Sequence, residues 1–152
     1  MTQATRTTSG IVMFNEDVTK VFLVTSLKLP GKWVFPKGGL EDGLTPEENA
    51  VKEMKEEAGI AVTVGEKIFD MDAHYPEYEG NPPRIQREIY FLGSFLSYVD
   101  WEEFQLRKRE WFPIDSNLAD LLTPVQRDVL AHALVAARRS LKAPLLEAVV
   151  TP

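Results

Sequence analysis

The sequence predicts one α/β domain built around a central mixed β-sheet. Strand-length runs of β-branched and aromatic residues recur along the chain, a sharply delimited helix interrupts them, and a long amphipathic helix follows them. At 152 residues, the chain can bury one core without disulfides or a structural metal. A single domain over residues 1–152 is expected, with 1–5 and 143–152 as loosely ordered tails.

Residues 9–14 and 20–25 are apolar, β-branched runs joined by Asn15-Glu16-Asp17, which predicts two antiparallel strands around a turn. A short strand over 32–35 ends at Pro36 and delivers the chain into a glycine-rich loop. Thr45, Pro46 and Glu48 form a helix start: an N-cap, a proline at the first helical position and the acidic partner of a capping box. Gly59 suits the left-handed residue just past a helix end, so the helix runs from about Pro46 to Ala58. Ala50, Val51, Met54 and Ala58 share the arc that faces the sheet.

Residues 62–71 alternate as a strand with a possible bulge at Gly65, and 86–99 form a long, buried strand. Between them HYPEYEGNPPR, residues 74–84, is an irregular loop of the kind that shapes a pocket. Residues 107–113 give a short strand ending at Pro113. Asp115 or Ser116 caps a short helix to Leu122, and Thr123-Pro124 opens the last helix, which runs to about Leu141. Its core stripe is Val125, Val129, Leu130, Leu134 and Ala137. No element is expected after Ala143.

Chemistry concentrates between Pro36 and Ile60. Glu53, Glu56 and Glu57 lie three and four residues apart, so they meet over one helical turn and repel unless neutralised. A hard divalent cation, which takes carboxylate oxygens, waters and substrate phosphates as ligands, would neutralise them. Gly38, Gly39 and Gly43 let backbone approach a ligand, and Lys37 brings a charge for phosphate. On spacing alone, a solvated acidic helix face after an ordinary glycine turn accounts for the stretch equally well.

The stretch resembles the Nudix box: Gly, five residues, Glu, seven residues, Arg-Glu, an aliphatic residue, any residue, Glu-Glu, any residue, Gly and an aliphatic residue. Gly38, Glu53, Met54, Glu56, Glu57, Gly59 and Ile60 match in register, whereas Leu44 replaces the first Glu and Lys52 replaces the Arg. The resemblance implies an α/β/α sandwich and a hydrolase. In it, Glu53, Glu56 and Glu57, with the Gly38 carbonyl, hold Mg2+ or Mn2+, while Gly39, Lys52 and Gly59 support the box. The general base is left open. Lys52 can pair with Glu48 or Glu56, each four residues away. Losing the first carboxylate at Leu44 is expected to weaken or reduce metal binding while the core reaction survives, and Leu44→Glu to restore it.

Outside the box the chain is similar to the diphosphoinositol polyphosphate and diadenosine polyphosphate phosphohydrolase branch. The matching segments are Leu23 to Ser26, Pro30, Trp33, Asp100 to Glu102, Arg107 to Phe112 and Pro124 to Gln126. This implies a compact, anionic phosphoanhydride substrate, with Lys28, Lys37, Arg84, Arg87 and His74 as candidate contacts; Lys32 and the 107–109 basic group are weaker candidates. Tyr75, Tyr78 and Trp101 are candidates for stacking on an adenine, and Trp33, Trp111 and Phe112 for the core. A non-catalytic nucleotide or inositol phosphate binding module is the competing class. ADP-ribose, a nucleotide sugar or a nucleoside triphosphate are the competing substrates.

Composition bounds the rest. With 23 acidic and 17 basic residues the net charge is -6, which argues against a nucleic-acid partner and tilts the substrate toward dinucleotides over inositol phosphates. The absence of cysteine excludes thiolate metal sites and thiol nucleophiles. No run approaches a membrane span, and the polar start lacks a signal-peptide core, so a cytoplasmic protein with no membrane partner is expected. The sequence leaves oligomeric state open.

Overall fold

The computed structural model describes residues 4–150, with side chains for residues 6–141. Its elements run in the order β1 (Ala4–Met13), β2 (Lys20–Thr25), β3 (Trp33–Val34), β4 (Lys37–Gly39), α1 (Pro46–Ala58), β5 (Ile60–Tyr75), β6 (Arg84–Tyr98), β7 (Arg109–Pro113), α2 (Leu118–Leu121) and α3 (Pro124–Val150). A four-stranded sheet has the order β4-β1-β6-β5, and a three-stranded sheet the order β3-β2-β7. The first is mixed: β1 runs parallel to β6 and antiparallel to β4.

Strand alternation splits the core in two. In β1, Ile11 and Met13 join Ala50, Met54 and Ala58 of α1, while Val12, on the other face, joins Val129, Ala133 and Ala136 of α3. The same alternation in β6 sends Ile89 and Phe91 toward α1 and Tyr90 toward α3. Helices thus cover both sides of the β-structure, which is the α/β/α layering.

Three expectations change. β1 and β2 do not form a hairpin. They belong to different sheets and share one isolated bridge, Phe14↔Val21, because the backbone of β1 is paired with β4 and β6. The glycine-rich loop begins as a strand: Lys37, Gly38 and Gly39 pair with Gly10, Ser9 and Thr8 of β1. The last helix does not end near Leu141 but runs to Val150, through Leu145, Leu146 and Ala148, which are good helix formers. Of the expected tails, 1–3 and 151–152 lie outside the described residues.

Two elements gain definition. The connection between β5 and β6 shortens to residues 76–83, because β5 extends through His74 to Tyr75. Pairing around Gly65 is interrupted between Val64 and Lys67, the predicted irregularity. Asn117, rather than Asp115 or Ser116, stands at the N-cap of α2 without a side-chain cap, and the Asp115 carboxylate instead accepts from the Asn117 amide at 2.9 Å.

Candidate active site

Helix α1 carries the three box carboxylates, and both its ends are fixed. At the start, Thr45 Oγ1 accepts from the Glu48 amide at 3.1 Å while Glu48 Oε1 accepts from the Thr45 amide at 2.9 Å. At the end, Gly59 takes φ 65° and donates its amide to Lys55. Trp101 covers this turn: its Nε1 donates to the Glu57 carbonyl at 2.7 Å, and a Cβ on Gly59 would lie 2.5 Å from its own Cβ. Arg109 stacks on the Trp101 ring, with Cζ 4.3 Å from the centroid, and donates to the Ala58 carbonyl at 2.6 Å. Trp101 is therefore part of the helix clasp. Trp33 packs edge-on to Phe112 and Trp111 edge-on to Phe22, both against the core clusters.

Glu53 stands directly over β4. A Cβ on Gly38 would lie 2.2 Å from its carboxyl carbon, so a side chain there would displace the Glu53 carboxyl. Burial and then the charge of Glu56 push the Glu53 carboxyl up, partly offset by a hydrogen bond with Glu57. Glu57 is buried, and its Oε1 accepts from the Lys37 amide at 3.1 Å, while Arg107 lies 3.5 Å from Oε2. Burial nonetheless dominates and raises its pKa to about 8. Glu56 turns to Lys52, which also meets Glu41 at 3.2 Å. The Lys52 ammonium is correspondingly held well above its ordinary pKa, chiefly by the hydrogen bond to Glu56. Glu48, the other expected partner of Lys52, is engaged in the cap.

Among the described residues, no three His, Asp or Glu side chains are gathered in the geometry of a metal site. Lys52 holds Glu56, and Arg107 with the Lys37 amide holds Glu57. The donor set still fits a hard divalent cation. Glu53 and Glu57 are both destabilised as anions by burial, and the Glu53 charge further raises Glu57, a cost that a cation offsets. The Gly38 carbonyl, in the strand that Glu53 overlies, accepts from Asn49 Nδ2 at 3.2 Å.

Four residues escaped the sequence reading. Asn49, fully buried in α1, ties the site together: its Nδ2 also donates to Ser9 Oγ at 3.0 Å and its Oδ1 accepts from the Glu41 amide at 3.2 Å. An asparagine among strong helix formers was the available signal. Glu41 precedes the box position occupied by Leu44, and only the fold reveals its contact with Lys52. Glu103 accepts from Arg107 Nε at 2.6 Å and adds negative charge near Glu53 and Glu57. Arg6 lies over Gly39, where its Nη2 would stand 2.7 Å from an added Cβ.

The expected phosphate contacts divide. Lys37, Arg6 and Arg84 lie within electrostatic reach of Lys28, whose ammonium is pushed down first by burial and then by their charges. Arg84 also lies 4.6 Å over the Tyr75 ring. Arg87 and His74 stand elsewhere: strand alternation puts both on the opposite face from Arg84 and Tyr75. Both guanidinium contacts of Arg87 with Asp70 are 2.8 Å, and they hold the Asp70 carboxyl down at about 2. Lys32 donates to the Asp120 carbonyl at 2.7 Å.

The NUDIX domain profile matches residues 4–133. Mouse diphosphoinositol polyphosphate phosphohydrolase 3-alpha is 34% identical over 104 residues, covering 66% of this chain and 59% of that protein. The human 3-alpha protein is 31% identical over 103 residues, with the same coverage. The chain thus spans about three fifths of the length of these relatives. Among solved structures, a NUDIX hydrolase from Nitrosomonas europaea superposes with a TM-score of 0.68 at 19% identity, covering 87% of this chain and 90% of the other. The E. coli ORF135 protein gives 0.61 at 21% identity, with 91% of each chain covered. With the box in register on α1 and the sandwich around it, the chain belongs to the Nudix family.

Proposed function

We propose that this protein is a metal-dependent phosphohydrolase that cleaves a phosphoanhydride bond in a compact polyanion, a diadenosine polyphosphate or a diphosphoinositol polyphosphate. The observation that carries this reading is the convergence of Arg6, Lys28, Lys37 and Arg84 beside the carboxylate helix. Four cations, none of them in an ion pair among the described residues, suit a ligand with several phosphates. The names of the relatives point to the same substrate class.

Glu53, Glu56 and Glu57, with the Gly38 carbonyl, would hold Mg2+ or Mn2+. When bound, the ion supplies charge neutralisation and an acidified water. The basic cluster orients the phosphates, and Arg107 and the Lys37 amide keep Glu57 in place. Without metal, Glu57 with its pKa raised to about 8 keeps its proton near neutral pH, so a bound cation would release that proton.

One observation favours a second reading, a binding module without turnover: Lys52 occupies the Glu56 carboxylate. A panel of diadenosine polyphosphates, diphosphoinositol phosphates, ADP-ribose and nucleoside triphosphates, assayed with Mg2+ or Mn2+ and with products identified by mass, separates the two. Turnover is expected in the first two groups. It should fall by orders of magnitude in Glu56→Gln and Glu57→Gln variants that still fold. Calorimetric binding without product would establish the module instead, and full activity in both variants would sink the metal assignment.

A further inference from the structure

Glu88 is fully buried in the first half of β6, yet among the described residues no cation pairs with it. Its carboxylate is met by neutral donors. The Tyr75 hydroxyl and Gln86 Nε2, the latter at 3.3 Å, donate to Oε2, and the Tyr90 hydroxyl donates to Oε1 at 3.1 Å. An apolar side chain would fill such a position more cheaply if packing were the only demand.

The register shows what the carboxylate sits beneath. Thr8 of β1 pairs with Glu88 on one side and with Gly39 on the other, and Gly39 is the residue over which the Arg6 guanidinium lies. Tyr75, the last residue of β5, pairs with Arg84, the first of β6, and Arg84 Cζ stands 4.6 Å over the Tyr75 ring. A chain of contacts therefore runs from Glu88 through the Tyr75 hydroxyl and ring to Arg84. Burial, followed by the charge of Glu88, raises the Tyr75 pKa, so the phenol stays a donor. Donation to a carboxylate also enriches the ring in electron density, which strengthens its hold on a guanidinium.

We propose that Glu88 is a positioning residue for substrate: through Tyr75 it fixes the Arg84 guanidinium at the rim of the Arg6, Lys28 and Lys37 cluster. Arg84 flanks the 76–83 connection and is only half-buried, so without the Tyr75 contact its long side chain would sample many rotamers. Locking it before the ligand arrives removes that ordering cost from binding. Glu88 touches neither the phosphates nor the carboxylates of α1, so it acts on affinity rather than on the reacting bond.

This inference rests on the polyphosphate reading of the site. Its test uses inorganic tripolyphosphate as a calorimetric probe, together with steady-state kinetics on whichever panel substrate is turned over. Glu88→Gln and Tyr75→Phe should each weaken tripolyphosphate binding and raise KM by about three- to tenfold, with kcat within about twofold of wild type. In an Arg84→Ala background, Glu88→Gln should cause no further loss, a non-additivity that a merely structural role would not produce. If Glu88→Gln does not fold, Tyr75→Phe, at the strand end, carries the same comparison. Unchanged affinity in folded single variants, or additive losses in the double variant, would overturn the proposal while leaving the hydrolase reading intact. A wild-type protein that neither binds tripolyphosphate nor hydrolyses any panel compound would remove both.

Discussion

The Glu53 carboxyl carbon occupies the space that a side chain on Gly38 would need, 2.2 Å from the position of its Cβ. The box glycine is thus a steric requirement of a carboxylate fifteen positions later in the chain. Gly38→Ala is predicted to displace Glu53 and lower turnover by about a hundredfold or more. The melting temperature should move by only a few degrees, since the added methyl can be relieved by rotating Glu53. Wild-type turnover in the purified variant would show that Glu53 need not stand where it does.

Asn49 makes three hydrogen bonds from a fully buried position, to Ser9, the Gly38 carbonyl and the Glu41 amide. Asn49→Leu keeps the branched shape and removes all three bonds, leaving the Glu41 amide without this acceptor while Ser9 Oγ still donates to the Pro46 carbonyl at 2.8 Å, and the expected loss is about 2–4 kcal/mol. For a domain of this size that is a drop of roughly 5–10 °C in a thermal melt. A loss under about 0.5 kcal/mol would mean that water or a small shift satisfies the stranded groups.

The raised pKa of Glu57 sets a pH dependence with a definite sign. In the folded, metal-free protein the carboxyl holds its proton up to about pH 8, whereas the unfolded chain releases it near the ordinary carboxylate value of 4.5. The folded state binds more protons in that window, so stability is highest at its acidic end and falls as pH rises toward 8. Glu53 shifts in the same direction, and the depressed Asp70, near 2, acts only at lower pH. Melting temperatures without metal should be lower at pH 8.5 than at pH 6, and added Mg2+ or Mn2+ should narrow the gap. A rising trend across that range would contradict the burial of Glu57.

Lys52 joins Glu41 to Glu56 on a partly exposed surface. Removing its charge in Lys52→Met releases Glu56 and should tighten Mn2+ binding by about two- to fivefold in a calorimetric titration. Because Glu41 already supplies Lys52 with a carboxylate, Leu44→Glu is expected to change metal affinity by less than about twofold, contrary to what the box pattern alone implies. A large gain in that variant would restore the importance of the missing first glutamate.

Arg87 is committed to Asp70. Arg87→Ala is therefore predicted to leave KM within about twofold, whereas Lys37→Ala and Arg84→Ala should raise it about tenfold or more. Equal effects from all three would mean that Arg87 leaves Asp70 for the ligand.

What the sequence made legible was local. The limits of α1 followed from Thr45, Glu48 and Gly59, whose signals act within one turn, and its buried stripe followed from helical period. The partnering of β1 did not. Its parallel alignment with β6 depends on residues far along the chain, while the short turn before β2 suggested a hairpin. The same limit governs the site. Carboxylate spacing placed Glu53, Glu56 and Glu57 on one turn, but Glu41 meets Lys52 and Glu103 meets Arg107 only through the folded loops. Among the arginines, composition could not separate Arg84 from Arg87. Strand register did, by turning one toward the basic cluster and the other toward Asp70.

The clasp on α1 has a mechanical consequence. With the capping box locking one end and Trp101 and Arg109 gripping the other, the helix is a bar held at both ends. Its carboxylates can gain or lose protons, or exchange one counter-charge for another, without the backbone moving to follow. Adaptation to ligands of different length must then come from the long side chains and loops facing the helix, which leaves the reacting centre stationary while the rest of the pocket adjusts.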